Sequence, residues 1–170
     1  IFRKIKSKYG VFAVPGNHEH YSPDVDVTVS RLEEAGINVL RDEYVLVADS
    51  FYVIGREDRA VERFNGMSRK SIAELKSDFD KDLPIIMMDH QPYDLQEGRK
   101  NGVDLQLSGH THKGQFFPIQ FITQKVFEID WGYLYKDGMH TIVSSGFGTW
   151  GPPIRIGNNP EIIDIHIKFE

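Results

Sequence analysis

Cysteine is absent from the 170 residues, which removes disulfide frameworks and cysteine-ligated zinc sites but leaves the compartment open. Nor is there any apolar run near the ~20 residues that a membrane-spanning helix needs. Lys and Arg form no cluster, and the formal net charge is -5, so the chain carries no nucleic-acid footprint. An anionic substrate would have to be attracted by something local, such as bound cations. Repeats, low-complexity tracts and interdomain linkers are also lacking. The remaining composition, 40% hydrophobic and 26% charged, is that of an ordinary globular chain, long enough to read as one domain over residues 1–170.

What the sequence does have is histidine at the ends of apolar stretches. The segment 104–108 alternates polar and apolar and reads as a short strand. It runs into Ser108-Gly109-His110-Thr111-His112, where a glycine turn presents two imidazoles one residue apart. The run 83–88, apolar throughout, reads as a strand covered on both faces and ends in Asp89-His90-Gln91-Pro92. Val11-Phe12-Ala13-Val14 reads as a third and ends in Pro15-Gly16-Asn17-His18-Glu19-His20. In open α/β sheets the carboxyl ends of strands are where ligands bind.

Around these strands the pattern predicts the tail of a helix over 1–9, stopped by Gly10. A helix opens at Ser22-Pro23-Asp24 and closes at Gly36, with hydroxyl cap, proline and acid in the order helix starts favour. Residues 44–48 and 51–55 read as a hairpin, 56–69 as loop, and Ser68 as the cap of a helix to about Phe79. A loop or short helix spans 93–102, and loops follow Gln115. Lys136-Asp137-Gly138 marks a second hairpin, and 162–169 alternates as a terminal strand.

Imidazole nitrogen suits Zn, Fe, Mn, Ni and Co, and an amide oxygen shifts preference toward harder ions. A mixed Asn and His set on loops therefore points to an open, catalytic ion rather than a closed structural one. His18, His90, His110 and His112 are the candidates. His20, His140 and His166 read as loop or core residues, and Asp89 as a structural acid holding His90 or a turn. Trp150 reads as a packed side chain, with stacking on a ligand as the alternative, and Arg155 as either a surface ion pair or a phosphate contact.

Gly16-Asn17-His18-Glu19, Asp89-His90-Gln91-Pro92 and Gly109-His110-Thr111-His112, in that order, resemble the later motifs of the calcineurin-like metallophosphoesterases. The tail Gly148-Thr149-Trp150-Gly151-Pro152-Pro153-Ile154-Arg155 resembles their bacterial cell-envelope branch, whose members are often membrane-anchored. The resemblance implies a four-layer αββα sandwich. It implies hydrolysis of a phosphomonoester or phosphodiester through a hydroxide activated by two divalent ions, with a phosphate ester as substrate. By the same resemblance Asn17, His90 and His110 would ligate one ion and His112 its neighbour. His18 would touch the phosphate and assist the leaving oxygen. Protonated imidazoles cannot ligate, so metal binding should weaken through roughly pH 6–7.

The family's two earliest motifs, Asp-x-His and Gly-Asp-x-x-Asp, do not precede Asn17 here, and the chain begins with Ile1. The expectation is a C-terminal portion without its first strands, inactive alone and holding at most one ion. Its exposed sheet would be covered by the N-terminal segment or a second copy. A non-catalytic binding scaffold is the alternative function. An amidohydrolase also uses His-x-His, but early and within an eightfold strand–helix repeat that this sequence lacks.

Overall fold

A computed structural model describes residues 2–21 and 24–168. Phe12–Ala13 (β1) pairs in parallel with Asn38–Val39 (β2). The other strands are Glu43–Val47 (β3), Phe51–Gly55 (β4), Ile85–Met88 (β5), Leu105–Ser108 (β6), Gly132–Lys136 (β7) and Met139–Val143 (β8). They form one six-stranded sheet of order β3-β4-β5-β6-β8-β7. Its four central strands are parallel, and β3 and β7 close the edges as antiparallel hairpin partners. Both expected hairpins are present. Asp137 and Gly138 take φ of 50° and 83° at the β7–β8 turn, the positive pair that a two-residue type I′ connection needs.

The helices are Asn17–His20 (α1), Val25–Glu33 (α2), Ala60–Asn65 (α3), Ile72–Leu75 (α4), Leu95–Lys100 (α5) and Gln120–Val126 (α6). Alternation along the central strands sorts their side chains to two faces. Tyr52, Ile54, Ile85 and Met87 meet Ile72 and Leu75 of α4 and Leu95 of α5 in the main core. On the other face Val53 joins Leu40 and Val47, with Phe12 and Met88 half-buried against them. This is the mixed α/β architecture expected, consistent with a metallophosphoesterase fold. The second face is the thinner one: Ile86, Met88, Leu107 and Ile142 are only half-buried, so β5 is not covered equally on both sides.

Several local expectations fail for identifiable reasons. Residues 2–9 form only a 3₁₀ turn at Phe2–Lys4, with Phe2, Ile5 and Tyr9 exposed; short helices need a packed face, and this stripe has none. Ser22 and Pro23 lie outside the described residues, and α2 begins at Val25. The expected loop at 56–69 contains α3, stopped by Gly66 at φ 66°. The helix expected from Ser68 begins later, where the Ser71 hydroxyl accepts from the Glu74 N–H and the Glu74 carboxylate accepts from the Ser71 N–H, a reciprocal cap. α6 was expected to be loop. The alternating tail forms no strand through residue 168, and Phe169 lies outside the described residues. Alternation signals an apolar side but supplies no ladder partner, and here Ile165 and Ile167 border a cavity beside Ile86 and Ile142.

Candidate metal centre

Each predicted strand end delivers its ligand to one place. β1 leads through Pro15 and Gly16 into α1, whose first residue is Asn17. Beyond β5 and β6 the backbone stays paired: Asp89 N donates to Leu107 O and Gly109 N to His90 O, which fixes His90 beside His110. The buried Asn17 then sets its Oδ1 3.0 Å from His90 Nε2 and 3.0 Å from His110 Nδ1. Its Nδ2 donates to the Tyr21 hydroxyl at 2.6 Å, which turns the amide oxygen toward the imidazoles. The two rings stand 5.2 Å apart at 77°.

Gly16 makes this approach possible. A Cβ there would lie 2.9 Å from His90 Nε2 and 3.0 Å from two ring carbons, so the ring occupies the space of the missing side chain. The Gly16 N–H donates to Glu19 Oε2 at 2.8 Å, which brings a carboxylate close to His90.

Burial pushes the His90 imidazole down to about 4; the Glu19 charge opposes this, while His112 and His18 add to it. His110 is likewise lowered to about 4, first by burial and then by His90. Both rings are therefore neutral at ordinary pH, with a nitrogen lone pair to offer. Two neutral imidazoles and an amide oxygen converging within 3.0 Å make a donor set suited to one divalent ion of the first transition row. Among the described residues no group of three or more His, Cys, Asp and Glu side chains forms a complete metal site; the trio has only two such members because its third donor is an amide. The low values also revise the expected pH window: protons compete with metal for these nitrogens near pH 4, not through 6–7.

His112 and His18 line the same cleft, of about 460 Å³, but outside the trio. His112 Nδ1 lies 3.3 Å from Arg155 Nη2, and burial followed by the Arg155 charge lowers its pKa. His18 is exposed at the mouth, its ring 5.1 Å from that of Tyr21. The chain's Asp-x-His string, Asp164-Ile165-His166, does not line the cleft; its carboxylate lies 3.2 Å from its own exposed histidine.

The remaining histidines divide. His20 is buried with Nε2 2.9 Å from Glu57 Oε1, and His140 is exposed with Nδ1 2.7 Å from the Tyr133 hydroxyl. Asp89, expected to hold His90 or a turn, instead pairs through its carboxylate with Arg69; burial raises its pKa, and Arg69 opposes that. Among the described residues Arg155 faces no carboxylate, and it reaches the cleft through its contact with His112. It donates to the carbonyls of Ser145, Gly146 and Gly148 and to Asn158 Oδ1. Trp150 stacks on Phe116 at 5.9 Å and also borders the cleft.

Two supporting groups escaped the sequence reading. At the end of β4, the fully buried Asp58 accepts both contacts from Gln91 Nε2, at 2.8 and 3.1 Å, and so holds the turn that follows His90. Beside it Glu57 accepts from Arg41 and the Asp58 N–H as well as facing His20. The second is Gln115, also fully buried. Its amide donates to Trp150 O and Pro152 O and accepts from Trp150 N, clamping the Gly/Pro-rich loop over the histidine turn. Charged and amide residues inside a polar stretch were the available signal, but only tertiary burial separates them from a solvated loop.

The sheet gathers Asn and His side chains, donor types that suit a divalent metal, at successive strand ends, and residues 1–114 match the calcineurin-like phosphoesterase family, to which the chain belongs. It is 35% identical to an uncharacterized metallophosphoesterase of Aquifex aeolicus over 94% of this chain and 61% of that protein. It is 35% identical to one of Helicobacter pylori over 89% of this chain and 40% of that protein. A Danio rerio relative, 29% identical over 97% of this chain and 40% of its own length, is named a transmembrane protein with metallophosphoesterase domain. The chain thus spans less than two thirds of the length of these relatives. No solved structure matches it. Among the described residues no helix is long and apolar enough to cross a membrane.

Proposed function

We propose that this chain contributes to the dinuclear centre of a phosphoesterase that hydrolyses phosphomonoesters or phosphodiesters, as the C-terminal portion of one phosphoesterase domain. The observation that carries the reading is the shared contact of Asn17 Oδ1 with His90 Nε2 and His110 Nδ1. In this reading those three side chains hold one ion and His112 is a ligand of its neighbour. When bound, divalent ions of the Mn, Fe, Zn, Ni or Co class stabilise the negative charge that builds on the phosphoryl oxygens. His18, at the cleft mouth, donates a proton to the departing oxygen, and the Tyr21 ring restricts its orientation. Half-buried Phe127 and Ile119, which also line the cleft, limit water. Attachment of the whole protein to a membrane belongs to the same proposal and is supported by the two vertebrate relatives named transmembrane proteins.

Metal content and turnover of p-nitrophenyl phosphate and bis-p-nitrophenyl phosphate, measured on the intact protein with Mn²⁺, test this. His90→Ala and His110→Ala should lose both metal and turnover, because each removes a direct bond. His18→Gln should keep its metal and lower kcat, since its role lies in the transition state. A metal-free His18→Gln beside a fully loaded His90→Ala would reverse the assignments.

A further inference from the structure

We propose that the cleft takes phosphate esters whose alcohol carries an apolar tail, the tail lying along α6. This rests on the phosphoesterase reading and names the substrate class of the same site. The cleft is lined by Asn17 and the histidines together with the large apolar or aromatic Tyr21, Ile119, Phe127 and Trp150, and among the described residues no Lys, Arg, Asp or Glu lines it. The nearby cations are occupied: Arg155 by backbone carbonyls, and Lys113 by the Trp131 ring, 3.3 Å from its centroid. Within these residues a nucleotide or polyphosphate therefore meets no cationic clamp, and the recognition they offer beyond the phosphate is apolar contact.

That contact surface continues out of the cleft. α6 has seven residues and none is buried. Phe121, Ile122 and Val126 are 54%, 59% and 51% exposed, and Phe117 just before them is 62% exposed. Ile119 and Thr123 face the cleft; Ile122 and Val126 fall three and seven positions after Ile119 and extend the same stripe over the lip. Phe117 and Phe121 meet edge-on at 5.8 Å. The helix is anchored, so this exposure is not fraying. Thr123 Oγ1 donates to Asp130 Oδ2 at 2.6 Å, and Gly114, at φ 72°, lets the α6 N-terminus approach so closely that a Cβ would lie 2.3 Å from Gln120 N. An anchored helix that turns aromatic and branched aliphatic side chains to water marks a binding surface. Its continuity with the phosphate end of the cleft selects an amphiphilic ester as the occupant.

The test is calorimetric binding of butyl phosphate and dodecyl phosphate, below micelle-forming concentration, to the intact Mn²⁺-loaded protein. Dodecyl phosphate should bind at least tenfold more tightly. The double variant Phe121→Ser/Ile122→Ser should cut that ratio to under twofold at an unchanged urea midpoint, and Ile122→Ser alone should lower it partway. Tyr135→Ser, on the far edge strand, should leave it intact. Equal affinities in the wild-type protein, or a lip variant that keeps the preference, would overturn the proposal. Hydrolysis of p-nitrophenyl phosphate by the same preparations reports separately on the phosphoesterase reading. Tail-dependent binding without any hydrolysis would sink that reading and leave the tail site standing.

Discussion

Replacing Gly16 with alanine should perturb the proposed metal centre without altering any of its proposed ligands. The backbone accepts the change, since φ is -106° and ψ -178°, an extended conformation open to any residue. The added Cβ, however, would sit 2.9 Å from His90 Nε2, whereas ordinary contact begins at 3.4 Å, so the ring must retreat by at least 0.5 Å. Metal–nitrogen bonds tolerate only about 0.2 Å, and displacing a ligand through its support typically costs about 10–100-fold in metal affinity. The ring borders an open cleft and can swing into it, so the stability cost should stay near the low end for overpacking, about 1–2 kcal/mol. Calorimetric titration of Mn²⁺ into wild-type protein and Gly16→Ala, with urea unfolding of both metal-free forms, separates the effects. Wild-type affinity in Gly16→Ala would show that His90 Nε2 is not a ligand, and the centre would need a different donor set.

Two further outcomes follow from the buried groups. An unfolded imidazole titrates near 6.5 while His90 and His110 in the fold titrate near 4, so protons favour the unfolded state between those values. The metal-free protein should hold full stability above pH 6.5 and lose up to about 1.4 kcal/mol per pH unit per histidine as pH falls toward 4, somewhat less for the less buried His110; urea midpoints at pH 7, 6 and 5 check this, and a flat profile would refute it. Gln115→Ala should cost about 2–3 kcal/mol, since it strands Trp150 and Pro152 backbone groups, and should shift tryptophan emission; an unchanged midpoint and spectrum would mean that the clamp holds nothing.

The parts legible in the sequence were those carried by local chemistry. Apolar runs 51–55 and 85–88, the Asp137-Gly138 turn and the histidines after each strand needed only period, propensity and motif. The strand ends singled out His18, His90, His110 and His112, whereas the grouping of Asn17 with His90 and His110 came from the resemblance to the metallophosphoesterases. What stayed hidden depends on distance in the chain. Whether Glu57 and Asp58 are solvated or buried is decided by Arg41, His20 and Gln91, each supplied by a different segment. The terminal alternation 162–169 looked like a strand because its apolar side is real, but its Ile165 and Ile167 border a cavity beside Ile86 and Ile142 of the central strands instead of pairing in a ladder. α6 was missed although Ile119, Ile122 and Val126 fall at helical spacing, because seven residues show too little of the period to separate a helix from an apolar loop.

The histidine turn shows why stability alone does not account for these residues. His110, His112, Lys113 and Gln115 all have φ between 49° and 70°, a region where a non-glycine residue costs on the order of 1–3 kcal/mol. The turn persists because its surroundings over-determine it. Thr111 donates to Asp130 O and accepts from Lys113 N. Asn158 Nδ2 donates to the carbonyls of His112 and Lys113, and Gln115 is locked from both sides by the Trp150 loop. Glycine at the four strained positions would relax the backbone, yet two of them would then lose an imidazole and one the clamp. The strain is retained because three of the four, His110, His112 and Gln115, must both bend the chain and carry the side chains that line the cleft or hold the loop beside it.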